Sequence, residues 1–188
     1  MKKLDRHQIA ARVARDIPEG AYVNLGIGPR PPEGEEDEDL INAGKEPVTL
    51  LAGGSFFHHA DSFGMIRGRH LDYCVLGAFQ VSAAGDLANW HTGAPDAIPA
   101  VGGAMDLAVG AKQVLVMMEH LTKEGKSKVV ERCSYPLTAA RCVNRVYTDL
   151  AVIDVKADGL HLVEIVADIS FDELQRLNGV PFKYRAAA

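Results

Sequence analysis

The sequence lacks the features that mark membrane, secreted and disulfide-stabilised proteins. No stretch approaches the roughly 18 consecutive apolar residues of a membrane span. The basic residues near the N-terminus are not followed by an apolar run, so we expect no export signal. Cys74, Cys133 and Cys142 form neither a disulfide framework nor a CxxC pair, which is typical of a reducing compartment. We therefore expect a cytoplasmic protein with no membrane partner.

The distribution of charge argues against a nucleic-acid-binding protein. The formal net charge is -5, but the stretch Glu33–Asp39 alone holds six acids, and without them 19 acids face 20 bases. No basic stripe is present, so we expect no nucleic-acid partner. A chain of 188 residues, 47% of them hydrophobic, can bury a sizeable core, and we predict one domain.

The apolar pattern predicts an α/β fold. Leu4–Ile17 has the spacing of an amphipathic helix that Pro18 and Gly20 end. Further along, short apolar runs without alternation indicate strands buried on both faces, and these are Tyr22–Ile27, Val48–Leu51, Tyr73–Gly77 and Val114–Met118. Helical segments separate them at Ala60–Ile66 and Ala104–Ala111. We predict a largely parallel sheet with flanking helices.

The end of the chain predicts an antiparallel hairpin and a last helix. Leu150–Val155 and Leu160–Val166 flank Lys156–Gly159, which ends in Asp-Gly. Ser170 followed by Glu173 predicts a capping box for a short helix that ends at Gly179. We place the domain at residues 1–182 and a tail at 183–188, whose terminal Ala-Ala-Ala resembles a cloning remnant.

The stretch Asn24–Lys45 fits this architecture badly. A strand ends at two glycines, Gly26 and Gly28, but prolines and acids follow instead of a helix. The segment Pro29–Pro47 is long enough for a crossover between parallel strands, yet it has no apolar face, and we expect regular structure to resume only at Val48. Either this is a solvated acidic surface loop, or a segment is missing here.

Two glycine-containing motifs allow more than one interpretation. Gly26 and Gly28 in "LGIG" could bring backbone N–H groups to a phosphate or a substrate carbonyl, or could form a tight turn without a ligand. The motif lacks the third glycine of a dinucleotide fingerprint and the lysine of a phosphate loop. In "GGSFFHHADSF", His-His-x-Asp suggests metal ligands, but adjacent side chains point apart, and we predict no metal.

Polar residues are most concentrated in Leu76–Ala108. Gln80 and Asn89 follow the end of a strand, where open α/β sheets place their ligands. Gly102 and Gly103 then precede a helix, where their N–H groups could hold an acyl oxygen or simply form a tight loop-to-helix join. Arginines beside Cys133 and Cys142 could lower a thiol pKa, but we favour buried structural cysteines.

At these segments the sequence resembles the B subunit of the two-subunit 3-oxoacid coenzyme A transferases. The resemblance runs from the N-terminal helix to about Phe182 and includes "VTLLAGGSFFHHADSFGMIRG", "GAFQVSAAGDLANW", "VGGAMDL" and "TDLAVIDV". The wording "NWHTGAPDAIPAVGG" is most similar to the 3-oxoadipate branch, which belongs to aromatic catabolism by the β-ketoadipate pathway.

The resemblance implies a reaction and its participants. Coenzyme A would pass from succinyl-CoA to a 3-oxoacid through a glutamyl-CoA thioester, with no cofactor because the thioester is itself a substrate. It implies a partner A subunit in a heterotetramer. It also implies that Gly102 and Gly103 face the acyl oxygen, and that Asn89 and Lys45 contact substrate or coenzyme A. A surface role for Lys45 remains the alternative.

The family nucleophile is not in this sequence. Members of the family carry the glutamate in Ser-Glu-Asn-Gly, which occurs nowhere here. In the family, "GIG" leads to a crossover helix, a strand, the glutamate motif and then the acidic stretch. Here Gly28 and Pro29 join the first of these to the last, so one βα unit is lacking after Gly28. We place none of the glutamates at 33, 35, 36 and 38 in the role of nucleophile.

Several functions stay open on the sequence alone. Either the polypeptide contains a segment that this sequence omits, or it truly lacks it and is a non-catalytic assembly subunit. The acceptor could be acetoacetate instead of 3-oxoadipate, because both branches share most motifs. A CoA-ester hydrolase is a further alternative, and it needs the same glutamate.

Overall fold

The computed structural model describes residues 2–25, 31–42, 46–50, 52–94, 96, 98–99 and 101–185. These residues form four helices and three sheets, the largest of which has seven strands. Within this part of the chain no helix is long and apolar enough to cross a membrane.

The seven-stranded sheet is mixed, and its first half is parallel. β1 (Val23–Asn24), β4 (Tyr73–Leu76), β7 (Gln113–Met117) and β9 (Arg145–Tyr147) lie side by side in parallel. β10 (Ala151–Lys156) runs antiparallel to β9, and β11 (Gly159–Ile165) returns antiparallel to β10. β12 (Tyr184–Arg185) pairs in parallel with β11, beyond residue 182, where we placed the domain end. The predicted fold class is confirmed.

Two smaller sheets complete the strands. β2 (Asp37–Ile41) and β3 (Pro47–Val48) form an antiparallel pair. β5 (Gln80–Ser82) lies between β6 (Leu87–Ala88) and β8 (Val129–Val130) in a three-stranded sheet. This second sheet carries the polar loop that follows β4.

Helix ends follow local capping chemistry. α1 (Arg6–Ala14) begins at Asp5, and a capping box joins Asp5 to Gln8. α4 (Phe171–Leu177) begins at Ser170, whose hydroxyl accepts a hydrogen bond from the Glu173 N–H, which is one of the two bonds of the predicted box. α2 (His59–Arg67) begins at His58, whose Nδ1 accepts from the Ala60 N–H. α3 (Ala104–Gly110) begins at Gly103.

Strand periodicity divides the core into two layers, one on each face of the large sheet. In β7, Val114 and Val116 pack with α2 and α3, whereas Leu115 points to the other face and packs with α1. β9 repeats the pattern with Val146 and Tyr147. Helices therefore cover both faces of the sheet, which explains why these strands are apolar without alternation.

A polar cluster fastens α1 to the sheet beside this core. Asp16, just after α1, accepts hydrogen bonds of 2.7 Å from both the Arg145 guanidinium and the Tyr147 hydroxyl, and pairs with Arg12 at 2.9 Å. Burial alone would raise the pKa of Asp16, but hydrogen bonds from Tyr147 and Arg12 outweigh it and the pKa is lowered. Burial raises the pKa of Tyr147 to about 12, and its bond to Asp16 adds to this.

Three sequence expectations need correction. Regular structure resumes before Val48, because β2 covers Asp37–Ile41 and pairs through its backbone with β3. The described part of the predicted strand Val48–Leu51, residues 48–50, adds no strand to the large sheet, since β3 ends at Val48 and pairs with β2. The late hairpin is confirmed, but Lys156 pairs with Gly159 and the turn residues are Ala157 and Asp158 instead of Asp-Gly.

Candidate active site

One edge of the large sheet collects the residues of the candidate site. α2 precedes β4 and α3 precedes β7 by short connections, so each helix runs antiparallel to the strand that follows it. The N-termini of α2 and α3 therefore lie at the edge where β4 and β7 end. This is the edge at which open α/β sheets bind ligands.

Gly102 and Gly103 lie at this edge, at the start of α3. Gly102 has φ +48, and an added Cβ would meet nothing within 4 Å, so this position faces open space. Gly103 is the N-cap residue of α3, where N–H groups point away from the helix. Among the described residues, neither N–H has a hydrogen-bond acceptor. Both amides can therefore donate to an external oxygen atom.

An aromatic pair from α2 stands beside these glycines. A Cβ added to Gly103 would lie 3.1 Å from Cζ of Phe63, so the ring packs directly on the glycine. His59, one turn earlier in α2, stacks on Phe63 with 4.8 Å between ring centroids. Arg67, one turn later, lies over the same ring and pairs with Asp106 at 2.7 Å.

A close helix crossing fixes this arrangement. A Cβ added to Gly110 would lie 2.3 Å from the carbonyl oxygen of Ile66, closer than atoms can approach. The backbone of α3 therefore contacts the backbone of α2 directly at this point. Only glycine permits such a close approach, because it has no side chain. The crossing holds Phe63 against Gly103 and so sets the position of His59.

Asn89 makes several hydrogen bonds within the protein near the end of β4. Its Nδ2 donates to the Gly77 carbonyl at 3.1 Å, and its Oδ1 accepts from the Thr138 hydroxyl at 2.6 Å. The same hydroxyl accepts from the Asn89 N–H at 3.2 Å. The Asn89 amide thus has a hydrogen bond on both its nitrogen and its oxygen within the protein, and its expected contact with substrate or coenzyme A stays a prediction.

Gln80 is occupied in a similar way. Its Oε1 accepts from the Ser134 N–H at 2.8 Å, and its Nε2 donates to the Ser134 hydroxyl at 3.1 Å. Trp90 adds a further hydrogen bond to the same segment, since its indole N–H donates to the Leu137 carbonyl at 3.2 Å. These contacts clamp the segment 134–138 onto the polar loop, and no hydrogen bond among the described residues joins Gln80 or Asn89 to Gly102 or Gly103.

The other predicted site residues lie outside the described part of the chain. These are Gly26, Gly28 and Lys45, together with the Gly28–Pro29 junction. Their roles stay predictions.

The cysteines are not activated. Burial raises the pKa of Cys133 to about 11, and the nearby Asp86 charge adds to the effect. Burial also raises the pKa of Cys142 to about 11 and that of Cys74 to about 12. Neighbouring arginines therefore do not produce a low thiol pKa, and few thiolates exist at neutral pH. No three potential metal-ligating side chains converge within the described residues.

Sequence reasoning missed two features of this site. One is Thr138, which joins Asn89 across 49 residues of chain and has no local signature. The other is the contact of Phe63 with Gly103. The spacing of His59 and Phe63, four apart on a helix, does predict that their rings meet.

Comparison with known proteins shows a family. A family model described as "Coenzyme A transferase" matches residues 25–176. The chain is 63% identical over 206 residues to the B subunit of 3-oxoadipate CoA-transferase from Pseudomonas putida, covering 96% of this chain and 97% of that protein. The protein of the same name from Acinetobacter baylyi is 59% identical over 204 residues, with 94% of each covered.

These alignments contain positions at which this chain has no residue. The first spans 206 positions against 188 residues, so at least 18 positions are unmatched here. By contrast, "Succinyl-CoA:3-ketoacid coenzyme A transferase 2, mitochondrial" of Homo sapiens is 48% identical over 160 residues, covering 31% of that protein and 84% of this chain, or about 158 of its 188 residues. That shorter alignment has almost no unmatched positions.

Solved structures agree in fold. An acyl-CoA transferase from Escherichia coli O157:H7 superposes with a TM-score of 0.69 at 18% identity, over 95% of this chain and 42% of that chain. Glutaconate coenzyme A-transferase from Acidaminococcus fermentans has a TM-score of 0.68 at 14% identity, over 97% and 88% of the chains. With the family model and the relatives above, the chain belongs to the coenzyme A transferase family.

Proposed function

We propose that this chain is the B subunit of a transferase that moves coenzyme A from succinyl-CoA to 3-oxoadipate. The observation that carries the proposal is the 63% and 59% identity, over nearly the whole chain, to two proteins named as the B subunit of 3-oxoadipate CoA-transferase. The free amides of Gly102 and Gly103 support it, because acyl transfer needs donors where negative charge develops on oxygen.

The reaction follows from carboxylate chemistry. A glutamate carboxylate attacks the thioester carbonyl, coenzyme A leaves as a thiolate, and a mixed anhydride forms. The thiolate then attacks the glutamyl carbonyl, which releases succinate and leaves a glutamyl-CoA thioester. The acceptor carboxylate attacks this thioester and the steps run in reverse. Gly102 and Gly103 would donate to the acyl oxygen during these attacks, and the site must exclude water because both intermediates hydrolyse.

The glutamate itself belongs to a segment that this sequence does not contain. We place the segment between Gly28 and Pro29. The 18 or more unmatched alignment positions support an internal omission of about a helix and a strand. The human alignment leaves out about 16% of the chain and has almost no unmatched positions. This is expected if the omitted segment lies near one end of the chain, within the part that this alignment leaves out.

A partner A subunit is part of the proposal, in a heterotetramer in the cytoplasm. The relatives' names, which designate a B subunit, support a partner. Phe79 and Leu137, on the loops around the candidate site, are 40% and 42% exposed, and a partner that covers them would also close the site to water.

A non-catalytic assembly subunit is the second candidate, and the absence of Ser-Glu-Asn-Gly favours it. Intact mass separates the two: a mass above 20.2 kDa by a helix and a strand supports the enzyme, and a mass of 20.2 kDa supports the assembly role. Peptide mapping across Gly28–Pro29 locates any additional segment.

The activity test uses the chain purified with an A-type subunit. We expect transfer from succinyl-CoA with a higher kcat/KM for 3-oxoadipate than for acetoacetate, and no transfer by the chain alone. Borohydride reduction after incubation with succinyl-CoA should label one glutamate in the additional segment. A reversed acceptor ratio would assign the acetoacetate branch, and full activity without the partner would contradict the proposed B-subunit role.

A further inference from the structure

We propose that His59 selects the acceptor by binding the distal carboxylate of 3-oxoadipate. This inference rests on the proposed function, in which Gly102 and Gly103 hold the reacting acyl group. It assigns a role to the second histidine of "HHADSF", which neither a metal site nor a catalytic step explains.

The geometry places His59 above the glycines. Phe63 packs on Gly103, and His59 lies one helical turn towards the N-terminus of α2, stacked on the same ring. α2 and α3 run in the same direction, so this turn extends beyond the start of α3. The His59 ring therefore borders the space into which the amides of Gly102 and Gly103 point.

The two adjacent histidines differ in what their nitrogens do. His58 uses Nδ1 to cap α2 by accepting from the Ala60 N–H at 3.1 Å. His59 is exposed, and in the part of the chain that the structure describes it has a ring contact but no hydrogen-bonded or ion-paired partner. A ring N–H is thus available to an external acceptor.

The length of the acid fits this separation. One helical turn rises about 5.4 Å. In 3-oxoadipate five carbon–carbon bonds of about 1.5 Å separate the two carboxyl carbons, which is roughly 6 Å along an extended chain. An acyl group held at Gly103 therefore brings its far carboxylate to the level of His59. Acetoacetate ends in a methyl group and has no second carboxylate that His59 could bind.

Other charged groups near the ring do not compete for this role. Arg67 lies one helical turn after Phe63, over the same ring, and pairs with Asp106 at 2.7 Å. Asp61 follows His59 by two residues, a spacing at which side chains on a helix do not face each other. Within the described residues, no acid is paired with His59, so a carboxylate there meets a free donor.

The test compares His59→Phe with His58→Asn in the complex with the A-type subunit. Phenylalanine keeps the stack on Phe63 but removes both ring nitrogens, and asparagine preserves the helix cap. We expect His59→Phe to lower kcat/KM for 3-oxoadipate about tenfold or more, mainly through KM, because a hydrogen bond to a charged group is lost. We expect less than a twofold change for acetoacetate, and neither value to change in His58→Asn.

Binding gives a readout that does not depend on turnover. Adipate, a six-carbon dicarboxylate, should shift the His59 imidazole resonances of the labelled complex, whereas hexanoate should not. An equal kinetic loss for both acids, or an unchanged ratio, overturns the inference and leaves the proposed function standing. If the unaltered complex transfers coenzyme A to neither acid, the proposed function fails. In that case the adipate experiment alone tests the role of His59. Equal shifts of the His59 resonances with adipate and with hexanoate overturn that role.

Discussion

The crossing of α2 and α3 predicts a large difference between two Gly→Ala substitutions. Gly110 faces Ile66, and an added Cβ would lie 2.3 Å from its carbonyl oxygen and 2.9 Å from its Cγ2. Gly64 lies in α2 and would place its Cβ in open space. Because both glycines are helical, the two variants share the gain in helix propensity, and their difference reports the steric cost.

The magnitudes follow from these contacts. Alanine at Gly64 should stabilise the fold by about 0.5–1 kcal/mol, the usual helical advantage over glycine. Alanine at Gly110 forces the helices apart, and overpacking costs about 1–3 kcal/mol, which exceeds that gain. For a chain of this size one kcal/mol shifts Tm by about 2–4 °C. We expect Gly64→Ala to melt slightly above the unaltered protein and Gly110→Ala several degrees below it.

Thermal unfolding followed by circular dichroism gives the Tm of both variants and of the unaltered protein. The separation of α2 from α3 should also move Phe63 away from Gly103, and His59, which stacks on Phe63 within the same helix, should move with it. If Gly110→Ala is as stable as Gly64→Ala, the helices are not in backbone contact, and the placement of His59 loses its support.

Three further predictions test other parts of the structure. In the complete complex, Gly103→Val should lower kcat/KM by about 10²–10³ through lost acyl-oxygen contact and displacement of Phe63, with Gly64→Ala as the unaffected control. Burial lowers the pKa of His120 to about 4, so the unfolded chain binds this proton from about pH 6.5 downwards while the folded chain does not. The free energy of unfolding should therefore fall by up to about 3 kcal/mol between pH 6.5 and 4, and urea titrations of His120→Gln should show a flatter dependence. Asp16→Asn should cost about 1–2 kcal/mol by urea titration because Arg145 loses a charged partner, whereas Asp158→Asn, at an exposed pair with His161, should change nothing measurable.

The elements that the sequence predicts well are those with strong local chemistry. Unalternating apolar runs located β4 and β7 because both faces of those strands are covered by helices. Ser170 located the start of α4 because the hydroxyl satisfies an N–H group of the first turn. Signals of this kind involve residues within a few positions of each other.

The acidic strand could not be predicted in the same way. β2 has the sequence DEDLI, and acidic residues are depleted in strands. Residue propensities therefore do not predict a strand here. What forms it is backbone pairing with β3, which local patterns do not encode. The partners of two site side chains were missed for a related reason. Asn89 and Gln80 lie at the expected edge, but Thr138 and Ser134, about 50 residues later, occupy their hydrogen-bonding groups.

The surroundings of this acidic strand bear on the prediction that no glutamate near it is the nucleophile. Glu33, Glu35, Glu36 and Glu38 are all exposed to solvent. The Gly34 N–H donates to the Glu36 side chain at 2.7 Å, so this carboxylate already serves its own turn. A mixed anhydride on an exposed carboxylate would meet water before it met a coenzyme A thiolate, and the product would be hydrolysis. Under the proposed function, transfer needs a carboxylate beside Gly102 and Gly103 that is shielded from water, and we therefore expect no acid of residues 33–39 to be the nucleophile.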